Sequence, residues 1–166
     1  MSIELEALQM QIQRLEDIEE IRKLKAAYFH ACDQKAIGSI AECFVEDEVW
    51  IDYGVVGSFS SREDFILMFE EAACHDHIID THHGQNAQIS WQSPFKATAI
   101  SDLYFHQINT KEQTLTQLSG FYEDVFVNNG DGWKIKETIF TVNSSLVSKL
   151  DDGNIEVLFA GSPALV

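Results

Sequence analysis

The sequence predicts an α+β fold in which helices come first and a curved antiparallel sheet follows. Residues 3–32 contain neither Gly nor Pro, and their apolar residues recur every three or four positions, which is typical of an amphipathic helix. From about residue 82 the chain is rich in Ile, Val, Phe, Thr and Tyr, which favour strands. Helices followed by a run of strands indicate helices packed on one face of a sheet, with a pocket open at one end.

Local signals place the individual elements. We expect a first helix over Ile3–Cys32, a short helix over 37–44, a strand over 49–53 and a third helix from Ser61 to about Cys74. Ser61 with an Asp three positions later resembles a capping box. Strands are expected at 82–91, 96–109, 114–128, 133–147 and 154–160, and the Asn- and Gly-rich turn at 128–132 joins two of them as a hairpin.

Length and composition limit the class of protein. We expect the 166 residues to form a single domain, with a core at about 15–145 and a C-terminal tail at 150–166. Eleven Lys and Arg residues against 27 Asp and Glu residues give a formal net charge of −16, which disfavours nucleic acids and anionic membranes as partners. The acidic, amphipathic N-terminus is not typical of a secretory signal, so the expected location is cytoplasmic.

The first helix also predicts self-association. At about 30 residues it is long for a small domain. Leu5, Leu8, Ile12 and Leu15 have the spacing of a short helix–helix seam. We therefore expect a homo-oligomer, either a dimer or a trimer.

Two adjacent histidines are candidates for proton transfer near neutral pH. A histidine backed by a carboxylate can take a proton from carbon, because the carboxylate fixes the imidazole tautomer and stabilises the imidazolium. His82 and His83 lie in a predicted strand, where adjacent side chains face opposite sides, so only one of them can enter a pocket. Spacing alone leaves open which one does. A structural histidine that bonds a backbone carbonyl is the alternative for either.

Other polar residues could face the same pocket. Tyr28 and Tyr53 could donate hydroxyl hydrogen bonds to an oxygen that gains charge, although a core role is equally typical of tyrosine. Tyr28 lies about 140° around a helix from Asp33, so both reach one pocket only if the helix bends or ends between them. Asp102 lies in a predicted strand and faces either solvent or the pocket. We also assign ligand contacts to His83, Asn143 and Trp50.

A metal site is an alternative use of the histidines, because His75, His77, His82 and His83 fall close together in the sequence. No specific ligand signature occurs, and histidines near the end of a helix are also favoured by the helix dipole. We therefore predict neither a metal nor another cofactor.

Several short segments resemble one known family. They are, in chain order, residues 18–24, Tyr28 with Asp33, and the segments 43–50, 81–86, 120–124 and 132–135. Their order and spacing over about Leu15 to Ser144 resemble the SnoaL-like family of the NTF2-like superfamily. The resemblance implies an NTF2-like cone, in which a curved antiparallel sheet wraps around N-terminal helices and encloses a pocket.

The resemblance also implies roles for single residues. The hexachlorocyclohexane dehydrochlorinase of this family has an Asp after the first helix and a His-x-Gly-x-Asn run, which selects His82 as the base and Asp33 as its partner. Bile acid 7α-dehydratase, another member, has tyrosines that match Tyr28 and Tyr53 and a strand aspartate that matches Asp102 less closely. Scytalone dehydratase is a third enzyme of the superfamily with which the chain can be compared.

The expected function follows from that assignment. It is a cofactor-independent, dehydratase-like lyase or isomerase that acts on a small, hydrophobic, cyclic substrate through a His–Asp general base. The alternative is a non-catalytic ligand-binding or scaffold protein, because other members of the superfamily use the same cone as a scaffold.

Overall fold

The computed structural model of the protein describes residues 3–151 and 153–162. Its helices are α1 (Ile3–Asp33), α2 (Ile37–Glu42) and α3 (Arg62–Ala73), and a short 3-10 helix covers Gly54–Val56. Its strands are β1 (Trp50–Asp52), β2 (Ser58–Phe59), β3 (Ile78–Ser93), β4 (Lys96–Asn109), β5 (Thr114–Asn128), β6 (Trp133–Asp151) and β7 (Asn154–Gly161). Within these described residues, the three helices and the short strands β1 and β2 precede the five long strands of a curved seven-stranded sheet, which confirms the predicted α+β fold.

The strands form one sheet in the order β2-β1-β6-β5-β4-β3, and β7 pairs with β6 outside that path. Strands β3 to β6 each pair antiparallel with the next strand along the chain. Strand β1 differs from the antiparallel prediction because it pairs parallel to residues 137–139 of β6. The length of β6 allows this arrangement, since its edge pairs with β1 near one end and with β7 near the other.

The C-terminal tail predicted at 150–166 contributes the last strand of the sheet. Strand β7 pairs with residues 145–151 of β6. Residues 152 and 163–166 of this tail lie outside the described residues, as do residues 1 and 2 at the other end of the chain.

Helix α1 has an exposed first half and a buried second half. Leu8, Ile12 and Leu15 are 52%, 47% and 67% exposed, whereas the helix from Asp17 onward packs on the face of the sheet that we call the inner face. Asp17 itself is buried, and its carboxylate accepts hydrogen bonds from Trp91 Nε1 at 2.7 Å and from Trp133 Nε1 at 3.1 Å. This buried carboxylate therefore connects α1 to β3 and to β6.

Helix α3 begins as the sequence predicts. Ser61 is the N-cap, and its hydroxyl accepts a hydrogen bond from the backbone N–H of Asp64 at 3.2 Å. The buried face of α3 carries Phe65, which packs against Phe44 and Tyr53. None of the described helices is both long enough and apolar enough to cross a membrane.

Candidate active site

A cavity of about 250 Å³ lies between α1, α3 and the inner face of the sheet. We call it the His82 cavity. Its polar lining residues include Tyr28, Tyr53, Asp80, His82 and Gln107. Most of the remaining wall is apolar or aromatic, and includes Phe65, Phe69, Leu103, Phe105, Leu118 and Phe140. An apolar cavity with a few polar groups is typical of a small-molecule site.

His82 and Asp33 are in direct hydrogen-bond contact at the wall of this cavity. His82 Nδ1 lies 2.6 Å from Asp33 Oδ1, and the two side chains are 13% and 20% exposed. The backbone N–H of His82 also donates to both carboxylate oxygens, at 3.1 and 3.2 Å. Because an ionised carboxylate only accepts hydrogen bonds, Nδ1 carries the proton and Nε2 keeps its lone pair.

The end of α1 determines where the Asp33 carboxylate lies. Lys35 has a φ of +56°, and the hydrogen bonds from Lys35 N to Cys32 O and from Ala36 N to Ala31 O form a Schellman motif. Asp33 is therefore the last residue of the helix, while Tyr28 lies on a different face of the preceding turns and lines the cavity. Asp33 lies behind the imidazole and contacts the cavity only through His82.

Burial shifts the protonation of His82 in a direction that suits a base. It lowers the pKa of the imidazole below the ordinary value of 6.5, and the hydrogen bond and charge of Asp33 oppose this effect. The ring is packed between Phe29 and Phe105, with centroid distances of 5.7 and 4.7 Å. The imidazole is consequently neutral at neutral pH, which is the form that can accept a proton.

Tyr28 and Tyr53 form a hydroxyl pair that faces the same cavity. Their hydroxyl oxygens lie 2.8 Å apart. Burial raises the pKa of both hydroxyl groups above the ordinary value of 10, so both tyrosines stay protonated. Protonated hydroxyls are the groups that can stabilise an oxygen on which negative charge develops.

The structure adds a second carboxylate, Asp80, which the sequence analysis missed. Its side chain is buried, lines the cavity, and accepts hydrogen bonds from Gln107 Nε2 at 2.9 Å and from Lys35 Nζ. Strand alternation was the available signal, because Asp80 lies two residues before His82 and therefore on the same face of β3. Strand alternation could not predict its partner Lys35, because Lys35 and Asp80 are 45 positions apart in the sequence and meet only in the folded protein.

Four residues expected at the site lie away from the His82 cavity. Asp102 is on the outer face of β4, because the neighbouring Leu103 lines the cavity, and it accepts a hydrogen bond from Asn86 Nδ2 at 2.7 Å. His83 is exposed on the outer face of β3, because the neighbouring His82 lines the cavity. Strand alternation therefore places the pair of adjacent histidines as expected, with His82 inside.

Asn143 and Trp50 are the other two residues placed outside. Asn143 is an exposed bulge residue of β6, since Ser119 pairs with Ser144 while Gly120 pairs with Val142. Trp50 opens β1 and is 40% exposed.

The other histidines form no metal site among the described residues. In that part of the chain, no group of three or more His, Cys, Asp or Glu residues could hold a metal ion. The rings of His75 and His77 stack at 5.2 Å, and His75 Nε2 hydrogen-bonds the carbonyl of Glu71 at 2.7 Å. His75 thus bonds a carbonyl in the last turn of α3, a favourable place for an imidazole.

The chain belongs to the SnoaL-like family. The sequence model of the SnoaL-like domain family matches residues 13–139 of the chain. This range contains the Asp33–His82 pair and the Tyr28–Tyr53 pair. A comparison with curated protein sequences finds no match.

Solved structures share the fold at low sequence identity. A protein provisionally described as a scytalone dehydratase, from Novosphingobium aromaticivorans DSM 12444, aligns with a TM-score of 0.76 and 21% identity over 93% of this chain and 97% of its own. A hexachlorocyclohexane dehydrochlorinase from Novosphingobium barchaimii LL02 aligns with a TM-score of 0.72 and 15% identity, over 89% and 94%. An NTF2-like protein with a cystatin-like fold, from Novosphingobium aromaticivorans, aligns with a TM-score of 0.68 and 18% identity, over 85% and 90%. The NTF2-like fold is thereby confirmed.

Proposed function

We propose that the protein is a cofactor-independent, dehydratase-like lyase or isomerase. The observation that carries this proposal is the 2.6 Å contact between His82 Nδ1 and Asp33 at the wall of an apolar cavity that also holds the Tyr28–Tyr53 pair. A base, oriented from behind by a carboxylate, and neutral hydroxyl donors then face one small volume. Such a set is sufficient for removal of a proton from carbon without a metal or organic cofactor.

In the proposed reaction, His82 Nε2 takes a proton from a carbon next to a carbonyl or to a leaving group. Asp33 holds the ring in the required tautomer and stabilises the imidazolium that forms. The electron pair of the broken C–H bond forms a double bond, and the Tyr28–Tyr53 pair donates to the oxygen that gains charge or departs. In a dehydration, the C–O bond breaks, the departing hydroxide takes a proton from the tyrosine pair and leaves as water, and the proton held by His82 restores the tyrosine hydroxyl. In an isomerisation, His82 returns the proton to another carbon of the substrate. A general base of this kind contributes roughly 10²–10⁴-fold to the rate.

The cavity wall indicates the substrate class. About 250 Å³ with aromatic and aliphatic walls suits a small hydrophobic ring that carries few polar groups. The net charge of −16 disfavours a strongly anionic substrate. Two structural neighbours are described as a scytalone dehydratase and a hexachlorocyclohexane dehydrochlorinase, names that state elimination of water and of hydrogen chloride, and this supports an elimination here.

The direct test is turnover of hydroxylated ring compounds by the purified protein and by His82→Ala. We expect the wild-type protein to dehydrate or isomerise at least one such compound, and His82→Ala to abolish turnover while keeping the fold. His106→Ala is the matched control, because His106 lies on the outer face of β4, and it should retain turnover. Turnover that survives His82→Ala would overturn the base assignment. Binding of ring compounds without any turnover would favour a ligand-binding or scaffold role.

We also infer a homo-oligomer, a dimer or a trimer, from the first half of α1. Leu8, Ile12 and Leu15 repeat at helical spacing on this segment and are all about half or more exposed. A second copy of the chain can bury this stripe in a helix–helix seam. Size-exclusion chromatography with light scattering tests this: Leu8→Glu/Leu15→Glu should lower the mass relative to the wild-type protein. A monomeric wild-type protein would contradict the inference.

A further inference from the structure

A second cavity of about 260 Å³ lies on the other side of Phe29 from the His82 cavity. We call it the Lys25 cavity, and it lies between α1 and the segment of β3 that follows Gly84. Its lining includes Ile21, Lys25, Ala26, Phe29, Ser101 and Asp124. The Phe29 ring lines this cavity and also stacks on the His82 imidazole at 5.7 Å with an interplanar angle of 11°. Phe29, which lines the Lys25 cavity, therefore contacts a residue that lines the His82 cavity.

A bulge in β3 forms part of the rim of the Lys25 cavity. Gln85 pairs with Asp102 and Gln88 pairs with Ile100, so two residues, Asn86 and Ala87, lie opposite one. Asn86 has a left-handed φ of +55°, and its side chain is fixed by the hydrogen bond to Asp102. Both bulge residues line the cavity. The outward-facing Asp102 thus acts on this rim rather than in the proposed reaction.

Buried polar atoms point to a ligand in the Lys25 cavity. Ser101 Oγ and Asp124 Oδ2 are fully buried and have no hydrogen-bond partner within residues 3–151 and 153–162. Both residues line the cavity, and they lie at diagonal positions on β4 and β5, since Ser101 pairs with Tyr122 and Ala99 pairs with Asp124. Buried polar groups in proteins are nearly always hydrogen-bonded. Asp124 Oδ2 can therefore accept a hydrogen bond from a ligand, and Ser101 Oγ can donate or accept one.

The charges at this position select the kind of molecule. Lys25 Nζ donates to Asp124 Oδ1 at 2.9 Å and lies 3.7 Å from the centroid of the Tyr122 ring. A cationic ligand would meet the Lys25 ammonium, and an anionic one would meet the Asp124 carboxylate. A neutral hydroxyl group avoids both conflicts, because it can donate to Asp124 Oδ2 and hydrogen-bond Ser101 Oγ.

We propose that the Lys25 cavity is a second small-molecule site, which binds a neutral, partly apolar alcohol or phenol through Asp124 Oδ2 and Ser101 Oγ. The apolar part of the molecule lies against Ile21 and Phe29. The site is separate from the His82 cavity and does not depend on the reaction proposed there.

Phenol and fluorobenzene are matched probes for this proposal, because they have similar size and only phenol carries a hydroxyl group. Backbone amide resonances of the ¹⁵N-labelled full chain report where each probe binds. We expect phenol to shift the resonances of Gly84 and Ser101. Ser101→Ala should weaken phenol binding at this site by roughly threefold to tenfold, which is the effect of one hydrogen bond, and leave fluorobenzene binding unchanged.

Two further variants separate the cavities. Ala26→Trp places a large side chain at an exposed lining position of α1 and should abolish the shifts at Gly84 and Ser101. Leu118→Trp reduces the His82 cavity and should leave them in place. Shifts confined to residues of the His82 cavity, or equal effects of Ser101→Ala on both probes, would overturn the proposal and indicate an internal water site. The comparison of probes on Ser101→Ala decides the outcome even if Ala26→Trp does not fold.

Discussion

Replacing Asp33 with Asn isolates the electrostatic part of the contact between this residue and His82. The carboxylate accepts hydrogen bonds from His82 Nδ1 at 2.6 Å and from the His82 backbone N–H at 3.1 and 3.2 Å. An amide of the same shape keeps one acceptor oxygen but carries an NH₂ group in place of the other. One donor therefore faces another donor, and the negative charge beside the imidazole is lost.

We expect Asp33→Asn to lower the pKa of His82 further. In the wild-type protein burial lowers this pKa, and the hydrogen bond and charge of Asp33 are the largest opposing effects. A hydrogen bond to a charged group contributes about 1.5–3 kcal/mol, which corresponds to a roughly tenfold to hundredfold smaller ratio of protonated to neutral imidazole at a given pH. With side chains only 13% and 20% exposed, solvent screens little of this interaction.

The assay is a pH titration of the histidine ring resonances by NMR, with His82 assigned by its loss in His82→Gln. Asp64→Asn is the matched control, because Asp64 is an exposed carboxylate in the first turn of α3, and it should leave the His82 titration unchanged. A His82 pKa in Asp33→Asn that is equal to or higher than in the wild-type protein would refute the reasoning. Once a substrate is known, the acid limb of the rate profile should move in the same direction, with a lower plateau.

Three other perturbations follow from the packing and the charges. Because burial lowers the pKa of His82 in the folded protein, the unfolded chain binds more protons once the pH falls to the ordinary pKa of 6.5. The free energy of unfolding of the wild-type protein relative to His82→Gln should therefore decrease as the pH falls through 6.5, as urea titrations would measure. Lys25→Met should lower the free energy of unfolding by about 3–5 kcal/mol, because it leaves the Asp124 carboxylate buried without its cation. The double variant Lys25→Met/Asp124→Leu should recover most of this loss. A small effect of Lys25→Met alone would contradict the prediction. Gly84→Ala should lower the free energy of unfolding by about 1–3 kcal/mol, because a Cβ there would lie 2.2 Å from Phe29 Cε2. In a Phe29→Leu background, urea titrations should measure a smaller loss. An equal loss in both backgrounds would exclude the clash as the cause.

Periodicity and capping were enough to predict most of the fold. The first helix was predicted to end at Cys32 and ends at Asp33, and Ser61 caps the third helix. These features depend on interactions within a few residues along the chain. The parallel pairing of β1 with β6 was not predicted, because it joins residues 87 positions apart and has no local signal.

The site was predictable only where residue type and alternation suffice. The resemblance paired Asp33 with His82, and alternation required that only one of His82 and His83 face inward. The same alternation could have placed Asp102 outside, but only after the face of a neighbouring residue on β4 was known. Asp17 and the Lys25–Asp124 pair escaped prediction because each is buried through contacts that the tertiary fold creates.

The hydrogen bond between Tyr28 and Tyr53 limits the number of protons that these two hydroxyl groups can offer to the His82 cavity. Two hydroxyls carry two protons, and the 2.8 Å contact uses one of them within the pair. The hydroxyl that accepts this bond becomes the better donor, because hydrogen bonds in a chain polarise one another. At most one O–H can therefore serve a bound molecule. In the proposed reaction, the tyrosine pair would therefore donate to a single oxygen of a ring that carries several, so regioselectivity would follow from the number of free tyrosine protons as well as from the shape of the cavity.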